Sequence, residues 1–135
     1  MIASLSLESV YSFNGSNITL DALFSYAKEN KHSHVVLTDY TMHGAYKFLS
    51  RAKKSGFIPI LGLKGVLENH YADEFLHATF YAKNLKGYKN LLKLASLQSV
   101  YDCITYEALS SHSEGLSVVL NSKVGELNKI LDDDN

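Results

Sequence analysis

The sequence predicts an α/β fold in which helices alternate with mostly parallel strands. Short apolar runs, such as HVVLTD at residues 34–39, alternate with stretches in which apolar residues recur at helical spacing. Hydrophobic residues make up 46% of the 135 residues, which is enough to form a core. This sequence pattern does not distinguish an open parallel sheet from part of a barrel. In both folds the functional side chains are expected at the carboxyl ends of the strands.

The first predicted strand spans residues 3–12, ASLSLESVYS. Because side chains alternate across a strand, Ser4, Ser6 and Glu8 are expected on one face. Polar side chains in a row on one face of a strand are typical of a binding site, and a metal site is one such case.

The remaining elements follow in order along the chain. We expect helices over 19–32 and 44–56, strands over 34–39, 58–67, 74–84 and 115–121, and helices over 87–100, 105–112 and 124–131. Thr19 is a candidate N-cap of the first helix, and Gly56 stands where the second would end. The carboxyl ends of the predicted strands carry five polar residues, Glu8, Asp39, Lys64, Asn84 and Asn121.

Composition limits the class of function. The formal net charge of -1 gives no general attraction to phosphate backbones, so nucleic-acid binding through bulk charge is not supported. Cys103 is the single cysteine, which excludes an internal disulfide and fits a reducing compartment. The first residues lack the features of a secretory signal, and no stretch approaches the ~20 apolar residues of a membrane span. We therefore expect a soluble, cytoplasmic protein that has no membrane partner.

Four segments of the sequence share a pattern with a known family. They are SVYSFNGSNITLDAL, VVLTDYTMHGAYKFLSRAKKSGFIPILGLK, HATFYAKNLKGYKNLLKLAS and SEGLSVVLNSKVGEL, in this order. Together they resemble the PHP (polymerase and histidinol phosphatase) domain at the N-terminus of bacterial replicative DNA polymerase III alpha subunits. The resemblance implies a (β/α)₇-type PHP barrel, of which residues 1–135 form the N-terminal part, with the polymerase domains beyond them.

The resemblance also implies where a metal site would lie. Active PHP domains bind metals through His-x-His on the first strand, Asp-His after the second and Gly-x-Glu after the third. At these positions the sequence has Ser6, Glu8, Asp39, Tyr40 and Lys64. A serine hydroxyl is a far weaker ligand than imidazole, and an ammonium repels a dication. We therefore expect vestigial metal-site positions, no metal and no catalytic residue in this chain.

A further hypothesis concerns the lysine at the third position. Lys64 would replace the lost cation by pairing with Glu8 and Asp39, which would otherwise repel each other. The alternative is that the Lys64 side chain points into solvent and pairs with neither carboxylate.

The resemblance implies a structural, partner-binding part of a DNA-directed DNA polymerase, a nucleotidyltransferase of DNA replication that uses magnesium held elsewhere. Its expected partners are the rest of the polymerase chain and a proofreading exonuclease subunit, with DNA reached only through the parent. The isolated fragment is expected to self-associate through strand edges that a longer chain would cover.

Other functions stay open from the sequence. One alternative is a metal-dependent phosphoesterase or 3′–5′ exonuclease of the PHP family. Another is a receiver-like signalling domain with Asp39 as phosphate acceptor, although this needs a further acidic pair near the first strand. The basic stretch KFLSRAKKSG is either a contact for DNA or the solvated face of an amphipathic helix.

Overall fold

The computed structural model describes residues 5–12, 16–69 and 75–120 of the chain. Helices and strands alternate through the first four described elements, as the sequence predicts, and are followed by a second strand and then by two consecutive helices. In order they are α1 (Leu20–Glu29), β1 (His34–Asp39), α2 (Ala45–Ser55), β2 (Ile58–Leu67), β3 (Leu76–Ala82), α3 (Leu85–Tyr101), α4 (Tyr106–Ser111) and β4 (Leu116–Leu120).

The described strands form one sheet in the order β1-β2-β3-β4. β1 and β2 are parallel, with Asp39 opposite Leu63, whereas β3 and β4 are antiparallel, with Ala82 opposite Leu116. The predicted parallel arrangement is therefore correct for the first pair and wrong for the last. A crossover through one helix makes neighbouring strands parallel, but two helices, α3 and α4, separate β3 from β4. A (β/α)₇-type barrel stays a prediction.

The chain divides into two compact units, Met1–Leu63 and Lys64–Asn135. In the first unit, α1 begins after Thr19, whose Oγ1 accepts a hydrogen bond from the N–H of Ala22 at 3.1 Å. α2 ends at Gly56, which has a φ of 74°, the left-handed conformation that glycine adopts without strain. Both helix boundaries predicted from these two residues are confirmed.

The core of the first unit lies where α1 and α2 cover the sheet. Its buried apolar side chains are Leu20, Leu23, Phe24, Ala27, Val35, Val36, Leu37, Ala45, Phe48, Ala52, Leu61 and Leu63. The ring centroid of Phe24 lies 5.9 Å from that of Phe48 and 5.7 Å from that of Phe57. Because aromatic rings bury large apolar areas, these contacts are central to the packing of the two helices.

The core of the second unit lies between α3 and the sheet. Phe80, Leu91, Leu94 and Ile104 are all fully buried there. The ring of Phe80 occupies the space in which a Cβ at Gly65 would lie. A glycine at this point of β2 therefore lets the Phe80 ring pack directly on the backbone.

The predicted strand over 3–12 is wrong for its described part, residues 5–12, which form no regular strand. The N–H of Thr38 donates to the carbonyl of Leu7 at 2.7 Å, as in a ladder. The N–H of Leu7, however, donates to the hydroxyl of Thr38 at 2.9 Å. A side chain thus takes the place of a backbone acceptor, and the ladder does not continue.

Three features of the sequence prediction lie outside the described residues: Ser4, Asn121 and the helix over 124–131. The strands expected over 74–84 and 115–121 are present as the shorter β3 and β4. None of the described helices is both long enough and apolar enough to cross a membrane.

Candidate functional site

A buried carboxylate ends the first strand of the sheet. Asp39 is the last residue of β1, and only 1% of its surface is exposed. Its Oδ1 accepts hydrogen bonds from the N–H of Ser9 at 2.7 Å and from the hydroxyl of Ser12 at 2.9 Å. Its Oδ2 accepts one from the hydroxyl of Ser9 at 2.7 Å. These three bonds join the carboxylate to the N-terminal segment.

The two serine hydroxyls are acceptors as well as donors. The Oγ of Ser9 accepts from the N–H of Tyr11, and the Oγ of Ser12 from the N–H of Tyr40, each at 3.2 Å. The hydroxyl of Thr41 donates to the carbonyl of Tyr11 at 3.1 Å. Throughout the described ranges, no buried side-chain nitrogen or oxygen lacks a hydrogen-bond partner. The network around the carboxylate is therefore fully satisfied, as a buried charge requires.

Four of the predicted metal-site positions lie in this first unit. The side chain of Asp39 and the backbone N–H of Tyr40 are brought together, because both bond to the same serine hydroxyl. Ser6 and Glu8 precede the serines in the segment that Asp39 holds, with Ser6 exposed and Glu8 half-buried. The assignment of these positions as a vestigial metal site stays a prediction.

The fifth position, Lys64, lies in β2 and is the first residue of the second unit. Its carbonyl accepts a hydrogen bond from Nε2 of Gln98 at 3.2 Å. Burial raises the pKa of the Tyr81 phenol above its usual value, and the positive charge of Lys64 offsets part of that rise. The pairing of Lys64 with Glu8 and Asp39 stays a hypothesis.

Asn84, selected because it follows a strand, is the N-cap of α3. Its Oδ1 accepts a hydrogen bond from the N–H of Gly87 at 2.9 Å. A Cβ at Gly87 would meet the carbonyl of Gly115, and Nδ2 of the buried Asn90 donates to the carbonyl of Glu114 at 2.8 Å. This strand end is therefore a close corner between α3 and the start of β4, built by packing and capping.

Comparison with known families identifies the family of the chain. The family model described as the PHP domain matches residues 4–135, nearly the whole chain. The chain belongs to the PHP domain family. The resemblance expected from the sequence is thereby confirmed.

Curated relatives of this PHP chain are alpha subunits of DNA polymerase III. The subunit from Streptococcus pyogenes serotype M3 is 32% identical over 124 residues, which is 91% of this chain and 12% of that protein. The subunit from Ureaplasma parvum is 39% identical over 97 residues, and that from Borreliella burgdorferi is 36% identical over 129 residues. These matches cover 9% and 11% of the two proteins, so the PHP chain spans only a small part of its relatives.

A solved structure shares the fold. It is the crystal structure of a protein from Bifidobacterium adolescentis described as a candidate metal-dependent phosphoesterase, with a TM-score of 0.52 and 16% identity. The superposition covers 69% of the PHP chain and 31% of the other protein. At this identity the likeness concerns the fold alone.

Sequence reasoning missed the residues that surround Asp39 in this PHP chain. Ser9 and Ser12 supply side-chain hydroxyls to the network, but neither is among the predicted site residues. The signal was weak: two serines in a turn-like segment, and a buried strand that ends in a carboxylate. To find these serines, a sequence analysis must ask which groups donate hydrogen bonds to the Asp39 carboxylate once it is buried.

Proposed function

We propose that this PHP chain is part of a DNA polymerase III alpha subunit, in which residues 1–135 are a structural, partner-binding PHP domain without catalytic activity. Its similarity to the three alpha subunits supports the parent assignment. The parent would be a cytoplasmic DNA-directed DNA polymerase of replication, with magnesium held by residues outside this chain.

The hydrogen bonds of Asp39 carry the non-catalytic part of the proposal. Its Oδ1 accepts two hydrogen bonds and Oδ2 accepts one, all from Ser9 and Ser12, at a position that is 1% exposed. Each carboxylate oxygen has two lone pairs, so Oδ1 has none left and Oδ2 has one. A metal ion would find one open lone pair, on Oδ2, in a group that is 1% exposed. Any further coordination by this carboxylate would displace a serine donor, which costs free energy that the remaining positions are poorly suited to return.

The other positions do not fit a metal centre in their chemistry. Ser6 offers a neutral hydroxyl, which binds zinc or manganese weakly, and Tyr40 replaces an imidazole that the family uses. Lys64 carries an ammonium, which repels a dication and has no lone pair at neutral pH. Glu8 and Asp39 are the carboxylates left, too few for a closed site. We assign no metal and no catalytic step to them.

The proposed role is to brace the polymerase and to offer a surface to a partner. The rest of the polymerase chain is the first such partner, a proofreading exonuclease subunit is the second, and DNA is contacted through the parent. Taken alone, the chain would self-associate through strand edges that the parent covers, which light scattering at high concentration measures.

The experiment that tests the proposal measures metal content and hydrolysis together. The purified chain is exposed to zinc and to manganese, desalted, analysed by mass spectrometry and assayed on a phosphodiester substrate. A variant with Ser6→His, Glu8→His, Tyr40→His and Lys64→Glu restores the residue types of the family pattern. We expect no stoichiometric metal and no hydrolysis in the natural chain, and increased metal content in the variant.

Stoichiometric metal in the natural chain, with hydrolysis that depends on it, would overturn the proposal and favour a PHP-family phosphoesterase or exonuclease. The structural role is tested separately in the intact parent with Asp39→Ala. We expect a lower melting temperature, with unchanged primer-extension kcat at a permissive temperature. A lower kcat in a variant of unchanged stability would contradict the structural role.

A further inference from the structure

The solvent side of α2 carries three lysines and a tyrosine. The buried side chains of this helix are Ala45, Phe48 and Ala52. With 3.6 residues per turn, the exposed residues that project from the opposite side are Tyr46, Lys47, Lys53 and Lys54. We call these four residues the outer face of α2. The proposed structural role uses none of them, and the sequence leaves this stretch open between a DNA contact and a solvated helix face.

The outer face has an unbalanced positive charge. Neither α2 nor β2 contains an Asp or Glu. Within the described ranges, no ion pair joins Lys47, Lys53 or Lys54 to an acidic side chain, and Asp21 is paired with Arg51, which is not part of the outer face. The carboxyl end of α2 adds a partial negative charge of about one half, which leaves most of the three full charges uncompensated. This local charge attracts a polyanion although the net charge of the chain is -1.

Two residues of the outer face do not help the helix. Tyr46 and Lys47 lie in the first turn of α2, which has no acidic residue and whose N-cap, Gly44, makes no side-chain hydrogen bond. A cation in a first turn faces the positive end of the helix dipole, so Lys47 costs free energy there, whereas Lys53 and Lys54 in the last turn are favourable. Tyr46 is 79% exposed, so its ring contributes little to the core. Residues that break a local rule of stability in this way are candidates for function.

The positions of the three lysines indicate an extended ligand. Lys47 and Lys54 are seven residues apart, which places them ~10 Å from each other along the helix axis. Lys53 lies beside Lys54 at the same end. A small anion would contact the lysines at one end only, whereas a chain of anionic groups reaches both ends. The spacing therefore favours a polyanion over a single phosphate or carboxylate.

The exposed tyrosine identifies the class of polyanion. Bases of any identity stack on an aromatic side chain, because every base has a π-face, and basic surfaces with such rings are typical of proteins that bind single strands. In a duplex the bases are already stacked on one another, and an acidic peptide has no group that requires the ring. We propose that the outer face of α2 binds single-stranded nucleic acid, with its lysines at phosphates and Tyr46 against a base. This contact goes beyond the proposed structural role, in which DNA is reached only through the parent.

The test measures binding of a labelled oligothymidylate to the purified chain by fluorescence anisotropy at low ionic strength. We expect saturable binding that weakens with salt, with a slope of about −2 for log affinity against log salt, because three phosphate contacts on a single strand contribute about 0.7 each. Amide NMR should place the shifts at Tyr46, Lys47 and Lys54. A duplex of the same length and a polyglutamate peptide should bind more weakly, and an oligouridylate distinguishes RNA from DNA as the source of the strand.

Matched lysine variants separate the outer face from general surface charge. Lys47→Ala should weaken binding several-fold and reduce the salt slope by about 0.7. Lys89→Ala removes an exposed lysine from α3 with the same change in net charge, and should leave affinity and slope unchanged. Tyr46→Ala should weaken binding by about tenfold without a change in slope, because the ring carries no charge, whereas Tyr46→Phe keeps the ring and the affinity.

Unchanged circular dichroism and melting temperature show that each variant keeps its fold. Absence of saturable binding to the oligothymidylate would overturn the proposal. So would equal effects of Lys47→Ala and Lys89→Ala, because binding would then follow the net charge of the whole surface. Unchanged affinity in Tyr46→Ala, or equal affinity for polyglutamate, would also overturn it and favour an acidic protein as the partner. These readouts do not depend on metal content or on Asp39, so this proposal and the structural role can fail separately.

Discussion

Ser9 and Asp39 lie 30 residues apart in the chain and are joined twice, through the N–H and the hydroxyl of Ser9, at 2.7 Å each. Hydrogen bonds to an ionised carboxylate are stronger than neutral ones. Because the carboxylate is buried, removal of either partner leaves a polar group without compensation. The pair therefore fixes the N-terminal segment to the end of β1.

The first prediction concerns Asp39→Asn, which keeps the shape of the side chain and removes its charge. The new amide nitrogen would face a serine hydroxyl that already receives a hydrogen bond from Tyr11. We expect the free energy of unfolding to fall by about 2–4 kcal/mol. Urea denaturation followed by circular dichroism measures the change.

The matched control is Asp21→Asn, which removes a carboxylate whose side chain is 80% exposed. Its ion pair with Arg51 is a surface pair, so the effect on stability should be much smaller. Equal losses of stability in Asp39→Asn and Asp21→Asn would mean that the Ser9–Asp39 contacts contribute little.

The sequence predicted regular elements well, because helical and strand periodicities are local. β2 was expected over 58–67 and has these bounds in the structure, and Thr19 and Gly56 mark helix ends as predicted. The first strand was predicted wrongly because alternation of polar and apolar residues does not reveal the acceptor of each N–H. Here the hydroxyl of Thr38 replaces a backbone carbonyl, and only the folded chain brings it to Leu7.

The residues around Asp39 show a related limit. A carboxylate that ends a buried strand is visible in the sequence, so Asp39 is a predicted site residue, and its place in a vestigial metal site stays a prediction. Its partners Ser9 and Ser12 were not selected, because a contact across 30 residues has no local periodicity. Lys64 and Asn84 were chosen by the same strand-end argument, yet Lys64 lies within β2 and Asn84 caps a helix.

The second prediction concerns the amide of Gln98, which bonds to the backbone of β2. Its Oε1 accepts from the N–H of Val66 at 2.8 Å, and its Nε2 donates to the carbonyl of Lys64 at 3.2 Å. Gln98→Leu leaves both backbone groups without this partner, so we expect a loss of about 1–3 kcal/mol in unfolding free energy. Hydrogen exchange at the Val66 amide should become faster than in the exposed control Ser99→Ala. Unchanged exchange at Val66 would contradict this role.

The third prediction is a fall in stability at alkaline pH that depends on Tyr81. Burial raises the pKa of its phenol above 10.0, the value of the unfolded chain. As pH rises past 10.0, the unfolded phenol ionises first and the unfolded state binds fewer protons, so stability falls until the folded phenol also ionises. In Tyr81→Phe this part of the alkaline fall should be absent. Urea midpoints measured across that pH range provide the comparison, and parallel curves would contradict it.

Titration of Tyr81 in a Lys64→Met variant tests whether the positive charge of Lys64 lowers the pKa of the Tyr81 phenol. Loss of the ammonium removes the charge that lowers the pKa of Tyr81, so that pKa should rise further. Lys64→Arg keeps the charge and serves as the control. The change is measured from tyrosinate absorbance, with the curve of the corresponding Tyr81→Phe variant subtracted. A lower Tyr81 pKa in Lys64→Met would contradict the prediction.

The fourth prediction concerns Gly65→Ala, which adds a methyl group where the Phe80 ring packs against β2. Phe80 is fully buried and cannot move without disturbing the core, so we expect a loss of about 1–3 kcal/mol in unfolding free energy. Phe80→Leu alone should also be destabilising, because it leaves a cavity. In the double variant the added methyl partly fills that cavity, so the loss should be smaller than the sum of the two single losses. Strict additivity in this cycle, measured by urea denaturation, would show that the two positions do not compete for the same space.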